Sequence, residues 1–152
     1  MRISNAWLIL LNLLVAAGCA TAKDWVVYQG QSGPGQGKHI VFLTGDEEYR
    51  SEEGLPMLAK LLAVRHGFKC TVLFPINPAD GTIDPNTANN IPGIEALDSA
   101  DLCIMLLRFR ELTDDKMQHF VNYLNSGKPI IALRTSTHAF QYEKNKQSVY
   151  AK

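Results

Sequence analysis

The chain has no surplus of charge. Fifteen lysines and arginines stand against 15 aspartates and glutamates in 152 residues. A nucleic-acid-binding surface usually carries a basic excess or stripe, so that partner class is set aside. Long apolar runs do not recur, which excludes a multi-span membrane protein. Cysteine is scarce, at 19, 70 and 103 only. Cys70 and Cys103 lie in strand-like runs (FKCTVLF and DLCIMLLR), where a buried thiol acts as a small hydrophobe, and a disulfide between them is not expected. The four histidines (39, 66, 119, 138) lack metal-ligand spacing such as H-x-x-x-H, so no metal motif is read; a site assembled in space from His138 and carboxylates stays open. A phosphate loop is also missing. In GPGQGK, position 32 is Ser where G-x-x-x-x-G-K needs Gly, and the glycines precede a strand instead of joining strand to helix.

What remains is the composition of one globular domain, 46% hydrophobic, with enough apolar material for a core. The start is of another kind. Arg2 precedes Leu8 to Gly18 (LILLNLLVAAG), too short to span a bilayer comfortably, and Ala20-Thr21-Ala22 offers an A-x-A cleavage pattern. Residues 1–22 therefore read as a secretory signal peptide. The alternative is a lipoprotein anchored through Cys19, although the lipobox-like Ala16-Ala17-Gly18-Cys19 lacks the usual leucine. Lys23 to Lys38, rich in glycine, reads as a linker, and 39–152 as the folded domain.

Within that domain strands and helices alternate. HIVFLTG (39–45) is a continuous apolar run, as for a strand covered on both faces. Leu55, Leu58 and Leu62, with Met57, Leu61 and Val64, then give a wide apolar helical surface, with Ala59 and Ala63 for close approach, that Gly67 ends. Lys69 to Ile76 is a second strand. A proline-rich surface loop over Asn77 to Pro92 follows, then a short segment at Ile94 to Ser99 and a third strand at Asp101 to Arg108. Thr113 to Ser126 is the clearest helix, with Met117, Phe120, Val121 and Leu124 on one face and Thr113 as its cap. Pro129 to Leu133 is a fourth buried strand. Strand–helix–strand units with buried strands imply right-handed crossovers, hence an α/β fold with a parallel sheet covered on both faces. The polar tail after the fourth strand reads as ragged, and the sheet as truncated at its carboxyl end.

In such sheets ligands bind beyond the carboxyl ends of the strands. There the sequence places Asp46, Glu47 and Glu48 after strand one, Arg108 and Arg110 after strand three, and Arg134, Thr135 and His138 after strand four. The acidic run also suits a solvated loop ahead of a helix, and the arginines suit structural bridges to it. Gathered on one rim, the same residues suit ligand binding, with His138 as candidate acid or base because imidazole titrates near neutrality. A hydrolase elbow at Ser136 is not expected, since Arg134 and His138 flank it where small residues are needed.

Two stretches, HIVFLTGDEEYRSEEGLPMLAKLLAVRHGFKCTVLF and DLCIMLLRFRELTDDKMQHFVNYLNSGKPIIALRTSTHAF, resemble the ThuA-like (trehalose-utilisation) family of the class I glutamine amidotransferase-like superfamily, in an exported bacterial branch. The resemblance spans Lys38 to Lys152. It implies a flavodoxin-like three-layer sandwich and carbohydrate chemistry on a disaccharide or keto-sugar. In the amidotransferase relatives a nucleophilic cysteine follows the strand matching PIIAL. Here Arg134-Thr135-Ser136 occupies that turn, so amidotransferase chemistry is not carried over. The expectation is an exported sugar-metabolising domain with a small-molecule sugar as partner and an unknown cofactor; the alternatives are a non-catalytic sugar-binding or interaction module and an inactive fragment. Membrane attachment is expected only through a lipid on Cys19.

Overall fold

The computed structural model describes residues 24–151. The signal-peptide and Cys19 readings lie outside the described residues. The sheet has five strands: β1 (Trp25–Gln29), β2 (His39–Gly45), β3 (Lys69–Leu73), β4 (Leu102–Leu107) and β5 (Ile130–Ala132), in the order β1-β3-β2-β4-β5. β3, β2, β4 and β5 run parallel, while β1 pairs antiparallel with β3 along one edge. Helix α1 (Ser51–His66) joins β2 to β3, a 3-10 turn (Ile94–Ser99) precedes β4, α2 (Asp114–Asn125) joins β4 to β5, and a second 3-10 turn spans Arg134–His138.

Strand periodicity divides the core in two, because alternate side chains leave a strand on opposite faces. Ile40 and Phe42 of β2 join Cys70, Val72, Ile104 and α1 on one face. Val41 and Leu43 join Cys103, Met105, Leu107 and α2 on the other. β2 is buried along its whole length. Both thiols are free and buried, and burial raises them to about 11 for Cys70 and about 12 for Cys103. They act as core residues.

Several expectations need correction. The stretch read as a linker contains an edge strand, because WVVYQ alternates and finds an unpaired edge on β3. Gly30, Gly33 and Gly35 serve close packing instead of slack. A Cβ on Gly30 would lie 2.3 Å from the Gly67 carbonyl carbon, and one on Gly33 would lie 2.5 Å from the His66 oxygen. The sheet is therefore mostly, not wholly, parallel. Of the wide apolar surface expected on α1, the line of Leu55, Ala59 and Ala63 is buried, while Leu58 is exposed at 36%. Met57, Leu61 and Val64 point to solvent, at 73%, 51% and 68% exposure. Small alanines let the helix approach the sheet closely, and that choice turns the larger side chains outward.

β5 is an edge strand with Ile131 exposed, not a buried one, and Leu124 of α2 is exposed beside it. Thr113 stands at the start of α2 in extended conformation, but its side chain makes no cap hydrogen bond there. The tail is not ragged. The Tyr142 hydroxyl donates to the Leu112 carbonyl at 2.9 Å, and the Ser148 hydroxyl donates to Asp114 at 2.5 Å.

Candidate functional site

The chain leaves β2 and β4 in opposite directions, β2 toward β3 through α1 and β4 toward β5 through α2, with the helices on opposite faces. Such a switch point opens a crevice at the carboxyl rim. The segments after β2, β4 and β5 meet there.

The loop after β2 is built around Asp46, which is 0% exposed. One carboxylate oxygen accepts the backbone N–H groups of Glu48 at 2.8 Å and Tyr49 at 3.0 Å. The other accepts the Thr135 hydroxyl, across the gap to β5. Ser51, the first residue of α1, closes the turn by accepting from the Gly45 and Asp46 amides at 2.9 Å each. Burial alone would raise the Asp46 carboxyl. The hydrogen bonds from Thr135, Tyr49 and Glu48, with the Arg108 charge, outweigh it and hold the group below its ordinary value.

Glu47 is the hub of the charges. It accepts from Arg108 and lies 3.6 Å from Arg110, while Arg108 also lies 3.7 Å from Glu48. Arg110 is 3% exposed. Its Nε donates to the Arg108 carbonyl at 2.8 Å, and one terminal nitrogen donates to the carbonyls of Pro85 and Thr87 at 2.9 and 3.2 Å. This side chain clamps the long 77–92 loop to the rim. Burial lowers its ordinary value, opposed by Glu47 and Asp46.

β5 ends in a strained turn. Arg134 has φ 43, a left-handed conformation that costs a non-glycine residue about 1–3 kcal/mol. Phe109 (φ 54) and Arg50 (φ 50) share this feature, and all three lie on the loops of this rim. Strand, left-handed residue and helical turn in succession form an elbow of the kind that can present a nucleophile. Here its apex is an arginine whose guanidinium lies 3.9 Å from the centre of the Tyr49 ring. Ser136 is spoken for: its hydroxyl oxygen accepts the Leu107 N–H at 3.0 Å, and its proton goes to the Met105 carbonyl at 3.1 Å.

His138 ends the turn, exposed, with its ring 4.9 Å from that of Phe109 and Nδ1 3.2 Å from the Thr137 hydroxyl. The Phe109 N–H donates to the His138 carbonyl at 3.1 Å, which fixes this backbone against β4. Tyr49, Arg134, Thr135 and His138 line a shallow hollow of about 330 Å³.

All eight residues singled out from the sequence thus belong to the three segments that meet at this rim, but they fall into three groups. Asp46 and Arg110 are buried and already bonded; they frame the hollow and do not face a ligand. Glu47, Glu48 and Arg108 form a partly exposed charged wall. Arg134, Thr135 and His138 line the hollow. Tyr49 was missed, and its only sequence signal was an aromatic within an otherwise acidic run. Among the described residues no cluster of three or more His, Cys, Asp or Glu could hold a metal ion, and no helix is long and apolar enough to cross a membrane. Comparisons with protein-family models, with curated proteins and with solved structures found no match.

Proposed function

We propose that the protein is an exported ThuA-like domain of flavodoxin-like, three-layer architecture that binds a sugar at the rim hollow and takes part in carbohydrate metabolism. The observation that carries the proposal is the assembly, over one switch point, of an aromatic ring, a guanidinium, a hydroxyl and an imidazole around an open hollow. Tyr49, its ring 3.9 Å from the Arg134 guanidinium and still 41% exposed, offers its remaining apolar surface to the C–H groups of a sugar. Arg134 donates to ring hydroxyls, and His138 can exchange a proton with one of them. Asp46 holds Thr135 in place and is not consumed by the ligand. The resemblance of the TGDEEYRSEE and SGKPIIALRTSTHAF segments to that family supports the same reading.

A second reading, a binding module without turnover, is favoured by the elbow itself. Its apex is Arg134, and the one hydroxyl close behind it, Ser136, is committed to backbone bonds. Calorimetry with a panel of neutral disaccharides tests the common part, with Arg134→Ala as control. Heat from at least one sugar that the substitution abolishes is expected, and no heat from any sugar would refute it. His138→Ala then separates the readings. Loss of turnover with affinity kept supports the enzyme, and absence of turnover in both proteins supports the module.

A further inference from the structure

Resting on the sugar-site reading, we infer that the hollow is built for an anionic sugar, its charge carried by a carboxylate or phosphate group that Arg134 receives. The charges at the rim are not evenly satisfied. Asp46 is buried with both oxygens occupied, and Glu47 is shared between Arg108 and Arg110. Asp46 and Glu47 thus serve the frame, although Glu47 Oε2 accepts no hydrogen bond, and the half-exposed Glu48 lies 3.7 Å from Arg108. Arg134 makes no ion pair and donates no side-chain hydrogen bond among the described residues; its guanidinium rests against the Tyr49 ring. Of the four residues that line the hollow, it alone carries a fixed charge, and that charge is positive.

Two further observations point the same way. The guanidinium lies over an aromatic ring, 3.9 Å from its centre, and its planar N–H edge donates to no other described residue. That edge matches two carboxylate or phosphate oxygens, a geometry an ammonium cannot offer. The backbone at Arg134 is also left-handed at φ 43, where glycine would sit without strain. Holding an arginine there costs stability, and ligand binding is what that cost supports. The hollow of about 330 Å³ suits a single sugar ring and its charged substituent, with Thr135 and His138 beside the ring hydroxyls.

Titration calorimetry on the full chain would compare glucose, glucuronate, glucose 6-phosphate, acetate and inorganic phosphate. At least one anionic sugar is expected to bind tenfold or more tightly than glucose, and more tightly than the bare anion of its own class. Whether glucuronate or glucose 6-phosphate leads identifies the charged group. Arg134→Gln should abolish the preference, and added salt should weaken it. Arg134→Gly should abolish it while raising the melting temperature, a combination that a merely structural arginine would not produce. Glucose binding as well as its anionic counterparts would overturn the inference and leave the sugar site standing. Acetate or phosphate binding as tightly as the sugars would overturn it as well, and absence of binding by any sugar would remove the sugar site with it. A melting temperature lowered in Arg134→Gly would likewise count against it.

Discussion

Arg110→Met offers the sharpest test of how the rim is held together. The side chain is 3% exposed, yet it carries a full charge and reaches three carbonyls, those of Arg108, Pro85 and Thr87, as well as Glu47. Methionine refills much of the volume, so the loss is polar. Removing one partner of a buried ion pair costs about 3–5 kcal/mol when the other charge is stranded. Here Glu47 keeps Arg108, and the carbonyls of the half-exposed loop can turn to water, so the lower end applies: about 3 kcal/mol. For a chain of this size that lowers the melting temperature by roughly 10 °C. Urea unfolding followed through tryptophan fluorescence reads the global effect. Hydrogen exchange reads the local one, at the Glu111 and Ile76 amides, which donate to the loop carbonyls of Ala88 and Asn90 at 2.9 and 3.0 Å. Both amides should exchange faster. Arg50→Met, which breaks an exposed pair with Glu53, should change neither measurement. A loss below about 0.5 kcal/mol, with unchanged exchange at Glu111, would refute the clamp, because surface substitutions already produce effects of that size.

Asp46→Ala strands the Glu48 and Tyr49 amides and the Thr135 hydroxyl, and should cost about 2–4 kcal/mol in denaturant unfolding, whereas Asp46→Asn, which keeps an acceptor, should cost visibly less. Because the Asp46 carboxyl sits below its ordinary value, the stability it contributes is present above pH 4 or so and fades on further acidification; wild type and Asp46→Asn should converge there. His39 acts in the same direction but in a higher pH window. It lies buried between the hydroxyls of Ser99 and Thr71, and burial, then Lys69, lowers its titration. The unfolded chain therefore takes up the proton first, and stability should fall as pH drops below about 6.5, the ordinary value for histidine; a pH series of melting temperatures in which His39→Gln kept the full slope would contradict this. Val64→Lys, on the outward stripe of α1, should leave stability within about 0.5 kcal/mol by the same unfolding assay, whereas Ala63→Lys on the inward stripe should prevent stable folding.

The alternation of β2, α1, β3, β4, α2 and β5 was readable because each element carries its own periodicity and its own stop, such as Gly67 after α1 and Gly127 with Pro129 after α2. The rim residues were readable for a related reason. In a parallel sheet the residue that follows a strand is at the rim whatever the strand order, so naming strand ends names candidate site residues. What those residues do to one another was not readable. Asp46 and Glu47 are adjacent acids in the sequence, yet one is fully buried and the other shared between two arginines.

The chain's pattern of apolar and polar residues by itself determined an α/β domain, its parallel strands, its buried thiols and the polar rim, all local consequences of spacing. Tertiary structure alone decided which part of the wide apolar surface of α1 met the sheet, whether WVVYQ paired or stayed loose, and how the rim charges paired. Each of these depends on a partner distant in sequence: alanine-lined close approach for α1, the open edge of β3 for β1, and Glu47 for the arginines. Spacing along one segment carries no information about the surface that segment will meet, and that meeting left Arg134 lining the hollow without an ion pair among the described residues.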